Sequence, residues 1–372
     1  MKIRYFLVIA AFIICLVLLI VARQSLSGEY KIHHVDFYDD NEDWTGFKFE
    51  NIILNQDKTK LIIDYPDGPG LIESLPSRTK FVFDEILLSW NCLVNDPGGL
   101  FISLSVSPDS STWYEFAFQK WGNLDSDATE IPDLPLKITD IGRLDVDIIR
   151  LKQTMKFYQF KIICVAGADK QFVLDRVSVC YSNVSANMRQ YHICSPPVPG
   201  IEPIELAVPY KSQHWLPDSI AGLTCSPTSV AMVLNYYNRD YSHLEVAGAV
   251  YDQLNDIYGN WPYNVQAAYL LGMKKTWVGR HNSFNELVDE LKVGRPVIIS
   301  IAFAEDQKLM GAPYKSTDGH LIVVRGFDNL GHVLVNDPAG DDISDGVNAY
   351  NIDELTAVWT GHQGVAYHLW PE

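Results

Sequence analysis

A thiolate is the strongest nucleophile that an unmodified side chain offers near neutral pH, and Cys225 stands where one could form. Behind it, Val230, Val233, Leu234 and Tyr237 fall at i, i+3, i+4 and i+7, the spacing of one helical face. Pro227 suits a first helical turn, where its missing N–H costs nothing, and Ser226 is a suitable N-cap. Cys225 is therefore expected at or just before a helix N-terminus. The unpaired N–H groups and the positive end of the helix dipole there favour a thiolate. For this residue type a small buried core cysteine is the plain alternative. What weighs against it is the rest of the chain.

The elements that must position the thiol follow it. Ser242–Leu254 and Asn264–Leu271 read as further helices, and Ser283 with Glu286 forms a capping box ahead of Leu287 and Leu291. Arg295 and Pro296 stop that helix and lead into Val297–Phe303, an apolar run short enough for a buried strand. His320–Phe327 and His332–Asn336 read as a hairpin, and Gly364–Trp370 as a last strand. A helical lobe bearing the cysteine, then an antiparallel sheet bearing histidines, is a papain-like layout. The first half has period two instead: Ile102, Leu104 and Val106 alternate with serines, and Tyr158, Phe160, Ile162 and Cys164 show the same spacing. Similar runs at Lys60–Tyr65, Phe81–Trp90, Leu144–Leu151 and Phe172–Tyr181 complete an expected antiparallel sandwich of jelly-roll type. The fold class is thus α+β. Residues 1–27 form a signal or membrane helix, 28–190 a β-sandwich, 191–203 a proline-rich linker, and 204–372 the papain-like domain.

Composition narrows the partners. The 372 residues carry a net charge of −17, which argues against nucleic acid or anionic headgroups as general partners. Lys2 and Arg4 precede an apolar run from Tyr5 to Ala22, the pattern of an export signal that stays as an anchor if uncleaved. Everything after it is then expected outside the cytoplasm, in the envelope or secreted. Of six cysteines, Cys92, Cys164, Cys180 and Cys194 are free to pair in an oxidising compartment, with three possible full pairings. No two cysteines have a zinc-site spacing, so no metal or other cofactor is assigned. Trp113 and Trp121 could form a carbohydrate platform on the sandwich, although packing is the commoner role of buried tryptophan.

Four blocks then carry a resemblance: Val208–Gln213, Cys225–Leu234, Asp318–Asp328 and Val335–Ala339. In that order they resemble the bacteriocin-processing peptidases, papain-like cysteine peptidases also called family C-thirty-nine, in their broad peptidase-like branch. The resemblance spans Ile204 to Trp370. A sandwich ahead of such a domain is similar to that of some exported bacterial members. The resemblance implies Cys225 as nucleophile, His320 as its base, Asp337 as the group that orients the imidazole, and Gln213 as an oxyanion donor with the Cys225 backbone N–H. Asn336 competes with Asp337, since neighbours on a strand face opposite ways and only one can meet His320. The carboxylate is preferred because it also stabilises an imidazolium. Many relatives have glycine where this chain has Ser226, so a changed cap or a narrowed cleft is expected there.

The implied function is an exported peptidase or amide hydrolase acting on peptide or protein through an acyl-thioester. The alternatives are a non-catalytic envelope binding protein, whose sandwich holds a carbohydrate or surface ligand, and a thiol acyltransferase. No transporter signature accompanies the domain, so double-glycine cleavage is not carried over. Asp218, Asp318 and Asp341 around the site favour basic substrates.

Overall fold

The computed structural model describes residues 32–64, 68–122, 124, 138–167, 169–187, 202–307 and 309–372. The apolar N-terminal run and residues 191–201 of the proline-rich linker lie outside the described residues, as do Cys15 and Cys194. Among the described residues, no helix is long and apolar enough to cross a membrane.

Alternating apolar residues build the first half as antiparallel strands. These are β1 (His33–Tyr38), β2 (Lys48–Glu50), β3 (Ile52–Leu54), β4 (Leu61–Ile63), β5 (Gly70–Glu73), β6 (Ser77–Leu93), β7 (Gly99–Ser107), β8 (Tyr114–Gly122), β9 (Ile138–Thr139), β10 (Gly142–Asp145), β11 (Ile148–Val165) and β12 (Val173–Ser182). The two long strands join the layers. β11 pairs with β6 through its first half and with β7 and β5 through its second, and its register against β6 breaks between Arg150 and Phe157. Such breaks let one strand bend from one layer to another. Inward-facing Ile86, Leu88 and Trp90 of β6 share a core with Ile102 and Leu104 of β7 and with Phe160 and Ile162 of β11.

One expected strand is two. Leu144–Leu151 divides into β10 and β11 around a tight turn at Val146 and Asp147, where the Asp147 N–H reaches the Asp145 carbonyl at 2.5 Å. Val146 adopts φ +51°. A β-branched residue is among the least suited to that left-handed region, so no glycine, proline or asparagine marks the turn in the sequence.

The second half contributes a seven-stranded antiparallel sheet and its flanking helices. Its strands are β13 (Ile204–Glu205), β14 (Lys275–Arg280), β15 (Val297–Phe303), β16 (Thr317–Phe327), β17 (His332–Asn336), β18 (Val347–Asn351) and β19 (Val365–Trp370). They run in the order β14-β19-β15-β16-β17-β18, with β13 also on β16. The main helices are α1 (Cys225–Tyr236), α2 (His243–Val250), α3 (Trp261–Leu270), α4 (Phe284–Lys292) and α5 (Ile352–Gly361). Helix α2 ends earlier than its pattern suggests because Asp252 turns the chain, accepting the N–H groups of Leu254 and Asn255. Helix α3 starts earlier because Asn260 caps it and Pro262 occupies its first turn. The expected capping box at α4 does not form. Ser283 makes no cap bond, and the Glu286 carboxylate instead accepts the N–H of Asn282.

The halves lock together through buried amides. Gln266 of α3 bonds both backbone groups of Cys92, accepting its N–H at 3.0 Å and donating to its carbonyl at 2.7 Å. Asn91 does the same to Thr276, and Asn282 to the backbone of Ile32 and His33. Buried Arg280 meets Glu85 at 2.7 Å. Residues 32–372 consequently form one compact unit.

Candidate active site

Helix α1 begins at Cys225, with Thr224 as N-cap. The Thr224 hydroxyl turns back to the Ala221 carbonyl and caps nothing, so the first N–H groups of α1 receive no side-chain oxygen from it. Ser226, expected as the cap, is instead the second helical residue. It is fully buried and its hydroxyl lies 3.0 Å from that of Tyr367. It therefore narrows no cleft. The expected single apolar face of α1 is also too modest a description: every residue from Ser226 to Leu234 is buried. The small hydroxyls of the first turns let the sheet approach closely, and Ser229 donates to the Leu321 carbonyl of β16 at 3.0 Å.

That seam brings β16 against the thiol. The Leu321 N–H donates to the Cys225 sulfur, and the His320 ring also forms a hydrogen bond to it. His320 Nε2 lies 2.7 Å from Asp337 Oδ1, so Nδ1 is the ring nitrogen left for sulfur. Asp337 is fully buried, and both of its oxygens are engaged. Oδ1 also accepts the Ala339 N–H at 3.0 Å. Oδ2 accepts the hydroxyls of Tyr314 at 2.9 Å and Tyr350 at 2.8 Å. Asn336 points away, donating to the Val208 carbonyl at 3.0 Å.

Electrostatics follow the contacts. Burial pushes the Cys225 thiol up, but the charge and hydrogen bond of His320, with the Leu321 N–H, outweigh it and leave the thiol below its ordinary value. Burial pulls His320 down, yet the Asp337 and Cys225 charges raise it to about 10. Asp337, also disfavoured by burial, is held below the usual carboxylate range by His320 and its hydrogen-bond donors. All three shifts favour a thiolate–imidazolium pair backed by a carboxylate.

Gln213 sits in a short turn tied to the same segment. Its N–H donates to the Pro338 carbonyl at 2.8 Å, and Ser212 bonds the Gly340 carbonyl. Its side-chain oxygen is buried without a partner among the described residues. The structure thus joins Cys225, His320 and Asp337 directly and places Gln213 beside the residue that follows Asp337. Tyr314 and Tyr350 were not expected at the site. A tyrosine is equally at home in a sheet core, so nothing local in the sequence marks them.

Cys225 opens onto a cleft of about 450 Å³, floored by Ser300 and Leu321 and flanked by Trp261, with Val146 and Ile148 of the β10–β11 turn on its sandwich side. Of the acidic residues expected around the site, Asp318 lines this cleft and Asp218 and Asp341 do not. Elsewhere, Cys92, Cys164 and Cys180 are buried and unpaired, so among the described residues no disulfide forms. Trp121 is half-buried against Trp90, and the Trp113 indole closes its own loop on the Ser110 carbonyl.

A thiol at a helix start, aligned with an imidazole and a carboxylate on the neighbouring antiparallel sheet, is the arrangement of papain-like proteins. Residues 205–367 match the model of the Peptidase_C39 like family. A search among curated proteins finds no match. Among solved structures, a putative C39-like peptidase from Bacillus anthracis is 20% identical, covering 45% of this chain and 98% of its own, with a TM-score of 0.34. A double glycine motif protease from an AMS/PCAT transporter, in complex with the leader peptide, is 22% identical over 46% of this chain and 99% of its own, with a TM-score of 0.32. The C-terminal CBM6 of LamC from Zobellia galactanivorans is 10% identical over 39% of this chain and 98% of its own, with a TM-score of 0.21.

Proposed function

We propose that this protein is an exported thiol peptidase that cleaves amide bonds through an acyl-thioester on Cys225. The observation that carries the reading is the continuous hydrogen-bonded chain from the Cys225 sulfur through His320 to Asp337. The thiolate attacks the carbonyl carbon and the oxyanion forms near the Cys225 N–H and the Gln213 amide. His320 then gives its Nδ1 proton to the leaving amine, and the C–N bond breaks. Water loses a proton to His320 and attacks the thioester, which releases the acid and restores the pair. Asp337 holds the ring throughout and balances its charge. Four donors on Asp337 favour the carboxylate form needed for that work. Export rests on Lys2, Arg4 and the apolar run from Tyr5 to Ala22.

The test is the pH profile of alkylation at Cys225, read by peptide mapping in the protein and in His320→Ala. Labelling that stays fast well below pH 8.5, the ordinary thiol value of about 8.5, and that loses this property in the variant is the expected result. An ordinary thiol profile in both proteins would sink the hydrolase reading.

A further inference from the structure

Among the described residues, the sandwich reaches the cleft through the β10–β11 turn and the strand ends beside it, and that turn is built unlike an ordinary connection. Val146 at its tip holds φ +51°, a left-handed conformation that strains an L-residue with a branched side chain. The strain persists because the turn is tied down on several sides. Gln119 donates to the Val146 carbonyl at 2.8 Å, and Asp147 accepts the Trp261 N–H at 2.6 Å. Gln119 in turn receives the Asn260 amide, and Asn260 caps α3. The turn is thus fastened to the start of α3, which itself flanks the cleft beside Cys225. Glycine would occupy such a position without strain; valine instead keeps a branched apolar group at the cleft wall.

Charge along the cleft is one-sided. Asp145, Asp147, Asp256 and Asp318 line it, with Asp147 pushed up to about 7 by burial and so only partly charged at neutral pH, and the lining cation Arg150 is already bonded to Glu85 and Asp145. Among the described residues, neither Asp256 nor Asp318 pairs with a cation, and both are exposed. His362, also in the lining, is lowered to about 4 by burial and by Arg280 and Arg150, so it adds no positive charge at neutral pH.

The floor and edges suit a polypeptide. Among the described residues, the fully buried Ser300 hydroxyl has no hydrogen-bond partner, and Ser300 lies in the lining. Gly222 and Gly259, also in the lining, have open space where a side chain would project, leaving bare backbone against which an extended chain can lie.

We infer that the β10–β11 turn is the specificity wall of the cleft, and that the cleft selects a polypeptide segment carrying a basic side chain close to the carbonyl attacked by Cys225. The substrate class rests on the peptidase reading; the assignment of the wall and of its charge preference does not depend on turnover. Two carboxylates without a cation partner attract a lysine or arginine and repel glutamate, and Val146 limits the size of the neighbouring residue.

The test uses the full chain with Cys225→Ala, which retains the cleft and cleaves nothing. Fluorescent hexapeptides of alanine and leucine, carrying Lys, Gln or Glu at one position at a time, are titrated by anisotropy. Lysine peptides should bind at least about tenfold more tightly than their glutamate counterparts, a gap that closes in high salt. Asp256→Asn with Asp318→Asn should shrink the gap to about threefold or less. Val146→Gly should leave the folding midpoint at or above that of the parent, because glycine relieves the strain, while larger residues become accepted beside the lysine. Equal binding of lysine and glutamate peptides would overturn the inference. So would a charge preference that survives in the double variant, or a peptide ranking untouched by Val146→Gly. If wild-type protein cleaves none of the peptides that Cys225→Ala binds selectively, the peptidase reading fails while the wall stands.

Discussion

At the scale of single residues, Asp337 carries the heaviest electrostatic load. It is a fully buried carboxylate whose two oxygens accept four hydrogen bonds, one of them from the imidazole that faces the thiol. A buried ion lacking such partners would cost several kcal/mol. The pair also makes stability depend on pH in a definite direction. His320 is raised from its ordinary 6.5 to about 10, so its contribution is complete below about pH 6.5 and fades as pH rises toward 10. Asp337 is lowered, so its contribution is complete above about pH 4 and fades as pH falls below that. Both descriptions belong to one interaction and are not added. Tyr350→Phe removes one donor to the charged oxygen and should destabilise the fold by about 1.5–3 kcal/mol. Denaturant midpoints from neutral pH down to well below about pH 4 check this. The loss should be largest where Asp337 is ionised, and an equal loss at acid pH, where the carboxylate is protonated, would contradict the assignment.

At the scale of elements, the site is a seam between α1 and β16 rather than a set of loops. Ser229 holds the carbonyl of Leu321 while the N–H of the same residue holds the sulfur, so one strand residue fixes the helix on both of its backbone groups. Ser229→Ala should therefore lower stability by about 1 kcal/mol and move the Cys225 alkylation profile toward that of a free thiol. A profile identical to wild type would show that the sulfur does not depend on this seam. Much of the seam was legible in the sequence. The position of Cys225 at a helix start followed from the proline and the apolar spacing after it, and the alternation expected of neighbouring residues allowed only one of Asn336, the last residue of β17, and Asp337, just past it, to face His320. What stayed hidden was decided by tertiary contact. Ser226 could cap a helix or satisfy a buried tyrosine, and only the approach of β19 selects the latter. The turn at Val146 was invisible because strain there is held by Gln119 and Trp261, residues distant in the chain.

At the scale of the whole molecule, the boundary expected between sandwich and peptidase-like halves is not a mechanical one. Three side-chain amides stand in for backbone partners across the junction, each bonding main-chain groups that would otherwise be buried unpaired. Composition shifts and proline-rich stretches mark where chain direction changes. They do not report whether the flanking parts share a core, since Asn91, Gln266 and Asn282 are ordinary surface residues in sequence. The consequence is that both halves should unfold together. Gln266→Leu keeps the volume roughly constant but strips the Cys92 N–H and carbonyl of their partner. Each orphaned group costs about 1–3 kcal/mol, so a total loss of about 2–6 kcal/mol is expected. Urea unfolding can be followed by peptide-mapped alkylation, of the buried Cys92, Cys164 and Cys180 in the sandwich and of Cys225 in the other half. The two probes should give one midpoint in the parent and one lower, still coincident midpoint in the variant. Midpoints that separate in the parent would mean that the halves are independent. The β10–β11 turn would then be a wall that can swing away from the cleft, whereas coincident midpoints mean that the sandwich holds it in place for as long as the site itself is folded.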